Sequence, residues 1–183
     1  MVTNKRSLPT PRREGMENIV KATIELLATR APQDVTLRDV AEASGHHHRM
    51  IVEWFGGKGG LYNAVFNQIF QALIDTGELI SLEIALRDDL RTALRLFDYI
   101  QMHHPEYIAE FRSGFVLNAV ERRLVDVQGW SPTEASFLAR RFAVQLIGLV
   151  LFRENAGISD EETVEIMRQE FQRLSKNQPS PAP

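Results

Sequence analysis

The stretch of sequence that decides the fold is residues 36–61, TLRDVAEASGHHHRMIVEWFGGKGGL. Thr36 precedes the apolar positions of a short helix and Asp39 follows three places later, which predicts an N-cap with an acidic residue in the first turn. Gly45 ends that helix, because glycine tolerates the positive φ of a sharp turn. A second short helix follows over about 47–54, and Lys58 stands at the head of a third. Such a helix, turn and helix can place the second helix in the major groove of DNA.

Apolar residues at three- and four-residue steps predict further helices on both sides of this stretch. We expect helices over roughly 12–29, 61–82 and 86–100, the last followed by Pro105, whose ring stops a helix. Ser131-Pro132-Thr133-Glu134 is typical of a helix start, and that helix should run to about residue 155. Ser159 opens a last helix to about residue 174. The sequence carries no strand pattern, so the predicted fold is all-α with about nine helices.

Composition points to an ordinary globular protein. Of the 183 residues, 44% are hydrophobic and 25% are charged. The longest strongly apolar run, 144–152, is too short to span a bilayer, and the basic N-terminus has no signal-peptide core. We therefore expect no membrane partner and a cytoplasmic location. The chain has no cysteine, which excludes disulfides and thiolate metal sites.

The charge is distributed unevenly along the chain. The net charge is −3, yet residues 1–60 hold nine Lys/Arg against seven Asp/Glu, and the remainder holds twelve against seventeen. A mildly basic front and an acidic body fit a nucleic-acid binder whose body faces away from the phosphates. Ordinary scatter of charges gives the same difference, so this signal is weak.

The chain shows no pattern of an enzyme or of a metal or cofactor site. It has no Ser/His/Asp order, phosphate loop or dinucleotide glycine pattern, so we predict no catalytic residues and no cofactor. His46-His47-His48 invites a metal interpretation, but consecutive helical residues point about 100° apart and do not converge on one ion. We expect His46 to be a partly buried neutral imidazole. His47 or His48 would donate to bases or phosphates, more strongly as they become protonated.

The order of elements resembles the TetR family of transcriptional regulators. The resemblance is carried by residues 36–45, Ile51, Trp54-Phe55, Lys58 and Leu61. It implies an N-terminal three-helix helix-turn-helix DNA-binding domain and a larger C-terminal helical bundle. The implied divisions are a flexible arm at 1–12, the DNA-binding domain at 13–60, a ligand-binding and dimerisation domain at 61–176 and a disordered tail at 177–183.

The resemblance also implies which residues meet DNA. Thr36 would cap the second helix and touch a phosphate with its side chain or amide. His47, His48 and Arg49 would lie on the groove-facing start of the recognition helix, and Trp54 near a phosphate. Lys58 would meet phosphate with help from the helix dipole.

Two further surfaces are expected in the body. An effector pocket is implied by the resemblance, although the aromatic series alone suits a plain core; its residues would be Phe97, His103, Tyr107, Phe111, Arg112, Phe115, Trp130 and Phe142. The helix after Ser131 is apolar on more than one face, so it either lies wholly in the core of one chain or meets a second copy. The resemblance favours a homodimer through Phe137, Leu146, Val150, Val164, Met167 and Phe171.

The expected function is that of a homodimeric repressor released from a palindromic operator by a small apolar or aromatic molecule. Half-sites would then lie roughly 34–36 Å apart, one helical turn. The alternative is a helical protein-interaction scaffold with a weakened DNA-binding head. That alternative is favoured by three departures from the family pattern: His46 where a small apolar residue is usual, Val52 where tyrosine is frequent, and Gly59-Gly60 at the start of the fourth helix, which we expect to loosen that start.

Overall fold

The computed structural model describes residues 12–107 and 115–175, and these residues are helical with no strand. The all-α prediction is confirmed. The α-helices are α1 (Arg12–Leu27), α2 (Leu37–Ser44), α3 (His48–Phe55), α4 (Lys58–Asp75), α5 (Asp88–His103), α6 (Phe115–Asp126), α7 (Pro132–Phe152) and α8 (Asp160–Leu174). Four short 3-10 helices lie between them, at Pro32–Asp34, Glu78–Ile80, Ile84–Leu86 and Pro105–Tyr107. The predicted arm and tail lie almost wholly outside the described residues.

Three helices begin with the capping chemistry that the sequence predicts. Thr36, Ser131 and Ser159 each accept a hydrogen bond from the backbone N–H three residues later, and the acidic side chain at that later position accepts one in return. This reciprocal pair satisfies two backbone donors that an isolated helix start leaves open. The turn after α2 is also as predicted, since Gly45 has a φ of 69°.

Three predicted helices are longer than the observed ones, and the first of them ends at Leu27 and not at residue 29. The segment expected over 61–82 is helical only from Lys58 to Asp75 and then breaks at Gly77, which has a φ of 74° that a continuing helix does not allow. Two 3-10 turns replace its last part, and the second of them includes Leu86, which we had expected in α5. The helix expected to reach residue 155 ends at Phe152.

Helix α4 lies at the centre of one continuous core. It packs against α1 and α3 on the N-terminal side and against α5 on the other. Its buried side chains, which are almost all apolar, are Leu61, Tyr62, Asn63, Val65, Phe66, Ile69, Phe70 and Leu73. The predicted division between residues 60 and 61 therefore falls in the first turn of a helix that both parts share, and the domain boundary remains a prediction.

Helix α7 has one buried and one exposed side. It is long and apolar enough to cross a membrane by length and composition, a weak criterion that core helices also meet. Seven of its residues are buried in this chain: Ala135, Leu138, Ala139, Phe142, Leu146, Leu149 and Val150. Beside it, the carboxylate of Glu170 in α8 is 1% exposed and accepts hydrogen bonds from Arg141 and Arg173, at 2.9 and 3.3 Å. A buried carboxylate needs such partners, so this cluster ties α8 to α7.

The two glycines at the start of α4 form a tight seam with the end of α5. A Cβ at Gly59 would lie 2.6 Å from His104 Cγ, and one at Gly60 would lie 1.7 Å from the carbonyl oxygen of Phe55. Tyr107 Oη would lie 3.0 Å from the same Gly60 Cβ. The expectation that Gly59-Gly60 loosens the helix start is therefore wrong. Because Gly59 and Gly60 have no side chains, the start of α4 packs directly on α3 and on the residues that follow α5.

We expect Gly60→Ala to destabilise the fold by roughly 1–3 kcal/mol, the usual cost of overpacking, although alanine is the better helix former. The added methyl would meet a backbone oxygen that no side-chain rotation can move. Urea denaturation at fixed protein concentration measures the change. Gly148→Ala in α7 is the matched control, because its Cβ would meet nothing within 4 Å, and it should be neutral or stabilise by up to about 1 kcal/mol. Equal stability of the two variants would contradict the seam.

Candidate nucleic-acid interface

The start of α3 projects three polar side chains into solvent. His47, His48 and Arg49 are exposed, whereas Ile51 and Phe55 on the opposite side of the same helix are buried. Val40 of α2 is fully buried as well, so both short helices are fixed by the core of the N-terminal part. The residues predicted to face a groove are therefore presented from a rigid support.

His47 has a structural task in addition to its exposure. It is the N-cap of α3, and its Nδ1 accepts the backbone N–H of Arg49 at 3.2 Å. An imidazole that accepts at Nδ1 carries its proton at Nε2, which leaves Nε2–H as its free donor. In the described part of the chain, no three His, Asp or Glu side chains are grouped so that they could hold a metal ion.

His46 and Trp54 pack α3 against α1. The half-buried imidazole of His46 lies 2.8 Å from the carbonyl oxygen of Ser44, to which Nδ1 donates. Its ring meets the indole of Trp54 edge-on at 6.1 Å between centroids. The indole in turn covers Gly15, where a Cβ would lie 2.7 Å from Cζ3. His46 is thus placed as expected, and Trp54 has a packing role that the sequence analysis missed; its phosphate contact remains a prediction.

The polar groups of Thr36 are engaged by Asp39. The Thr36 hydroxyl donates to Asp39 Oδ2 at 2.8 Å, and the Thr36 backbone N–H donates to the same oxygen at 2.8 Å. Arg30 adds a third hydrogen bond at 3.1 Å. The pKa of Asp39 is lowered, and the backbone and side-chain hydrogen bonds from Thr36 are the largest causes. A phosphate contact by Thr36 would have to share donors that the capping box already uses.

Lys58 does not point freely into solvent. Its Nζ lies 4.9 Å from the ring centroid of Tyr99 and 5.3 Å from that of Tyr62, within the range of a cation–π contact. Its one hydrogen-bond partner in the described chain is the carbonyl oxygen of Gln33, at 3.5 Å. No pattern in the sequence indicates this contact, because Tyr99 is 41 positions away and belongs to another helix.

Arg38 is a cation that the sequence analysis did not single out. It lies in the first turn of α2 and is exposed, and no ion pair in the described part of the chain includes it. Arg38 could have been identified from the sequence, because it lies on the polar side of a strongly amphipathic helix beside the turn.

The described residues among those predicted to line an effector pocket have different packing partners. Trp130 donates from Nε1 to the carbonyl oxygen of Leu174, and Phe142 packs on Phe171 at 5.6 Å, so both lie beside α8. His103 is exposed and stacks on Tyr99, and Tyr107 covers the start of α4. Phe97 is half-buried and packs on Phe66. Phe111, Arg112 and the side chain of Phe115 lie outside the described residues.

Half of the predicted dimer residues belong to the core of one chain. Leu146, Val150 and Met167 are 6%, 2% and 1% exposed, so they cannot reach a partner; the helix turns them towards its own chain. Val164 and Phe171 are half-buried. Phe137 alone is mostly exposed, and the structure adds Val144 and Ile147, which are 73% and 38% exposed on the same side of α7. Sequence periodicity marked both faces of α7 as apolar and could not tell which one was covered.

Known proteins resemble this chain in its sequence over a short segment and in its fold over most of its length. No protein-family model matches it. It is 34% identical over 67 residues to the HTH-type transcriptional repressor Rv3405c of Mycobacterium tuberculosis and to the HTH-type transcriptional regulator Mb3439c of Mycobacterium bovis. The match covers 37% of this chain and 36% of each relative, so the chain spans only about a third of their length.

Solved structures with the same fold cover nearly the whole chain. A TetR transcriptional regulator from Rhodococcus sp. RHA1 has a TM-score of 0.64 at 18% identity, over 92% of this chain and 98% of that one. NalD of Pseudomonas aeruginosa, the secondary repressor of a multidrug efflux pump, has 0.59 at 16%, over 92% and 100%. The TetR family repressor AlkX of Dietzia, implicated in biodegradation of n-alkanes, has 0.54 at 20%, over 90% and 97%. At 16–20% identity these likenesses show that the chain shares the fold of these regulators.

The capping box at Thr36 gives a pH-dependence of stability. The pKa of Asp39 is lowered in the folded chain, so its stabilising contribution is present above the ordinary carboxyl pKa of about 3.9 and is lost as the pH falls through the lower folded value. We expect Asp39→Asn to be less stable than the wild type near neutral pH and to lose less stability on acidification. Urea denaturation between about pH 7 and pH 3 measures both slopes. Asp34→Asn removes an exposed carboxylate close by and is the control for the loss of one negative charge; parallel profiles for Asp39→Asn and the wild type would refute the effect.

Proposed function

From the TetR-family fold of this chain, we propose that it is a DNA-binding transcriptional regulator that acts as a homodimeric repressor. The observation that carries the proposal is the exposed start of α3, where His48 and Arg49 face solvent while Ile51 and Phe55 anchor the helix in the core. A short helix held in this way can enter the major groove and present its first residues to base edges.

On DNA, the residues divide into those that select a sequence and those that hold the backbone. Arg49, with His47 and His48, contacts base edges, and a guanidinium suits the two acceptors of guanine. Lys58 and the exposed Arg38 meet phosphates, which set register and affinity. Residues 13–60 form the DNA-binding domain and 61–176 the domain for ligand binding and dimerisation.

A second copy of the chain provides the second half-site contact. The exposed side of α7 with Phe137, Val144 and Ile147 supports a two-fold interface there, because a contiguous apolar surface is unfavourable in water. Two heads related in this way bind a palindromic operator with half-sites roughly 34–36 Å apart. The regulator acts in the cytoplasm, where the DNA is, and requires no cofactor.

A small apolar or aromatic molecule releases the repressor from its operator. The half-buried rings of the body, among them Phe97, Trp130 and Phe171, support an effector of this chemistry. The effector favours a spacing of the two heads that fits DNA poorly, and it shifts the equilibrium only by the difference in its affinity for the two forms.

A helical protein-interaction scaffold is the second candidate. Two residues expected to bind phosphate already have partners within the chain, which favours this candidate. Thr36 is hydrogen-bonded to Asp39, and Lys58 lies over two tyrosine rings. A scaffold would show no saturable, salt-dependent DNA binding, which is the property that separates the two candidates.

Two substitutions test the DNA-binding surface. We expect Lys58→Ala to weaken binding to all duplexes to a similar degree and to reduce the slope of log affinity against log salt by about 1. Arg49→Ala should cost about 1–3 kcal/mol on the preferred sequence and relax the preference at one position. Fluorescence anisotropy with duplexes from the DNA upstream of the gene measures both, after footprinting has located the site. Arg168→Ala, at an exposed arginine in α8 paired with Glu165, is the matched control and should bind as the wild type does. If the Arg49 variant binds every duplex as the wild type does, α3 is not the recognition helix.

A charged substitution on the exposed side of α7 tests the proposed dimer interface. Val144→Asp places a carboxylate in the middle of the exposed apolar side, and two copies would bring two such charges together. We expect the variant to sediment as a monomer at concentrations where the wild type is a dimer, and to lose affinity for the two-half-site operator. Met102→Asp, at a methionine that is 66% exposed on α5, controls for the charge itself and should leave the dimer intact. A dimeric Val144→Asp variant would rule out this face.

A further inference from the structure

Lys58 lies where the N-terminal part of the chain meets α5. It is the first residue of α4, one turn away from the end of α3, and its ammonium lies over the ring of Tyr62 in its own helix and over the ring of Tyr99 in α5. Both distances, 5.3 and 4.9 Å, are within the range of about 6 Å in which the negative face of an aromatic ring attracts a cation.

The two rings are held in place independently of the lysine. Tyr62 is fully buried, and its hydroxyl donates to the carbonyl oxygen of Pro32 at 2.8 Å. Burial, as the largest cause, raises the pKa of Tyr62, so the hydroxyl stays protonated as that donor. Tyr99 meets Tyr62 edge-on at 5.4 Å and has the imidazole of His103 on it at 4.5 Å. The pair of tyrosines is therefore a preformed site for a cation.

Lys58 has no competing ion pair in the described part of the chain. None of the salt bridges there includes it, and its hydrogen bond to the Gln33 carbonyl is long, at 3.5 Å. The rings of Tyr62 and Tyr99 are accordingly its principal partners. A phosphate and the two rings attract the same ammonium, so a duplex that draws Lys58 towards it acts against the contact with the rings.

We propose that the tyrosine pair competes with DNA phosphate for Lys58 and so makes an autoinhibitory contact that links DNA affinity to the position of α5. The proposal rests on the proposed function, since it requires Lys58 to bind phosphate. The link is direct, because the residues that follow α5 pack on the first turn of α4 at Gly59 and Gly60. A displacement of α5 away from α4 removes Tyr99 from the ammonium and releases Lys58 to the duplex.

The test compares Tyr99→Leu with Tyr99→Phe in two backgrounds. Binding to a short mixed-sequence duplex at low salt is measured by anisotropy, because a phosphate contact acts on any sequence. We expect Tyr99→Leu to tighten binding about two- to five-fold, the factor that an exposed cation–π contact represents. Tyr99→Phe keeps the ring and should match the wild type. In a Lys58→Met background, Tyr99→Leu should change nothing. Unchanged or weaker binding by Tyr99→Leu, or equal tightening in the Lys58→Met background, would overturn the proposal.

Proton NMR of the full chain gives a readout that does not depend on DNA or on the stability of a variant. Protons over the face of an aromatic ring resonate upfield, so the ε-methylene signals of Lys58 should be shifted upfield in the free wild type and move to ordinary positions when the duplex is added. Ordinary positions in the free protein together with DNA binding would overturn this inference and leave the proposed function intact. Upfield signals in a protein that binds no duplex would overturn both.

Discussion

The first turn of α4 packs tightly against the end of α3 and against the side chains that follow α5, and the N-terminal part of the structure depends on this packing. Gly59 and Gly60 have no side chain, and the space that a methyl group would fill is taken by His104, Tyr107 and the carbonyl oxygen of Phe55. Because close-packed interiors transmit displacement rather than absorb it, a shift of the end of α5 acts directly on the first turn of α4. This contact joins the end of α5 to the start of α4, the helix on which α1 and α3 also pack.

Polar groups near that contact take part in folding, and the proposed function assigns several of them to DNA as well. Thr36 and Asp39 complete the start of α2, His47 caps α3, and Lys58 lies on two tyrosines. Each of these groups satisfies a donor or a charge within the chain, and the proposed binding to a duplex would draw on the same atoms. Arg49 and Arg38 are the exceptions in this region, since both are exposed and neither has an ion pair in the described residues.

Helix α7 has a buried face in the core and an exposed apolar face to which the proposed function assigns dimerisation. One face contributes seven side chains to the core, and the other leaves Phe137 and Val144 in solvent. The Glu170 carboxylate, paired with Arg141 and Arg173, holds α8 beside the buried face. Such a helix can lose or gain a partner molecule on its exposed side without repacking the core of the chain.

The sequence by itself determined the all-α fold, the three capping boxes and the turn at Gly45, because these features follow from residues within about four positions of one another. It also determined which side of α3 carries His48 and Arg49. Only the tertiary structure decided the rest. It placed Tyr99 beneath Lys58, covered Gly59-Gly60 with the end of α5, and chose which apolar face of α7 is buried. These contacts join residues from different helices, and the periodicity of a helix specifies its faces but not what those faces meet.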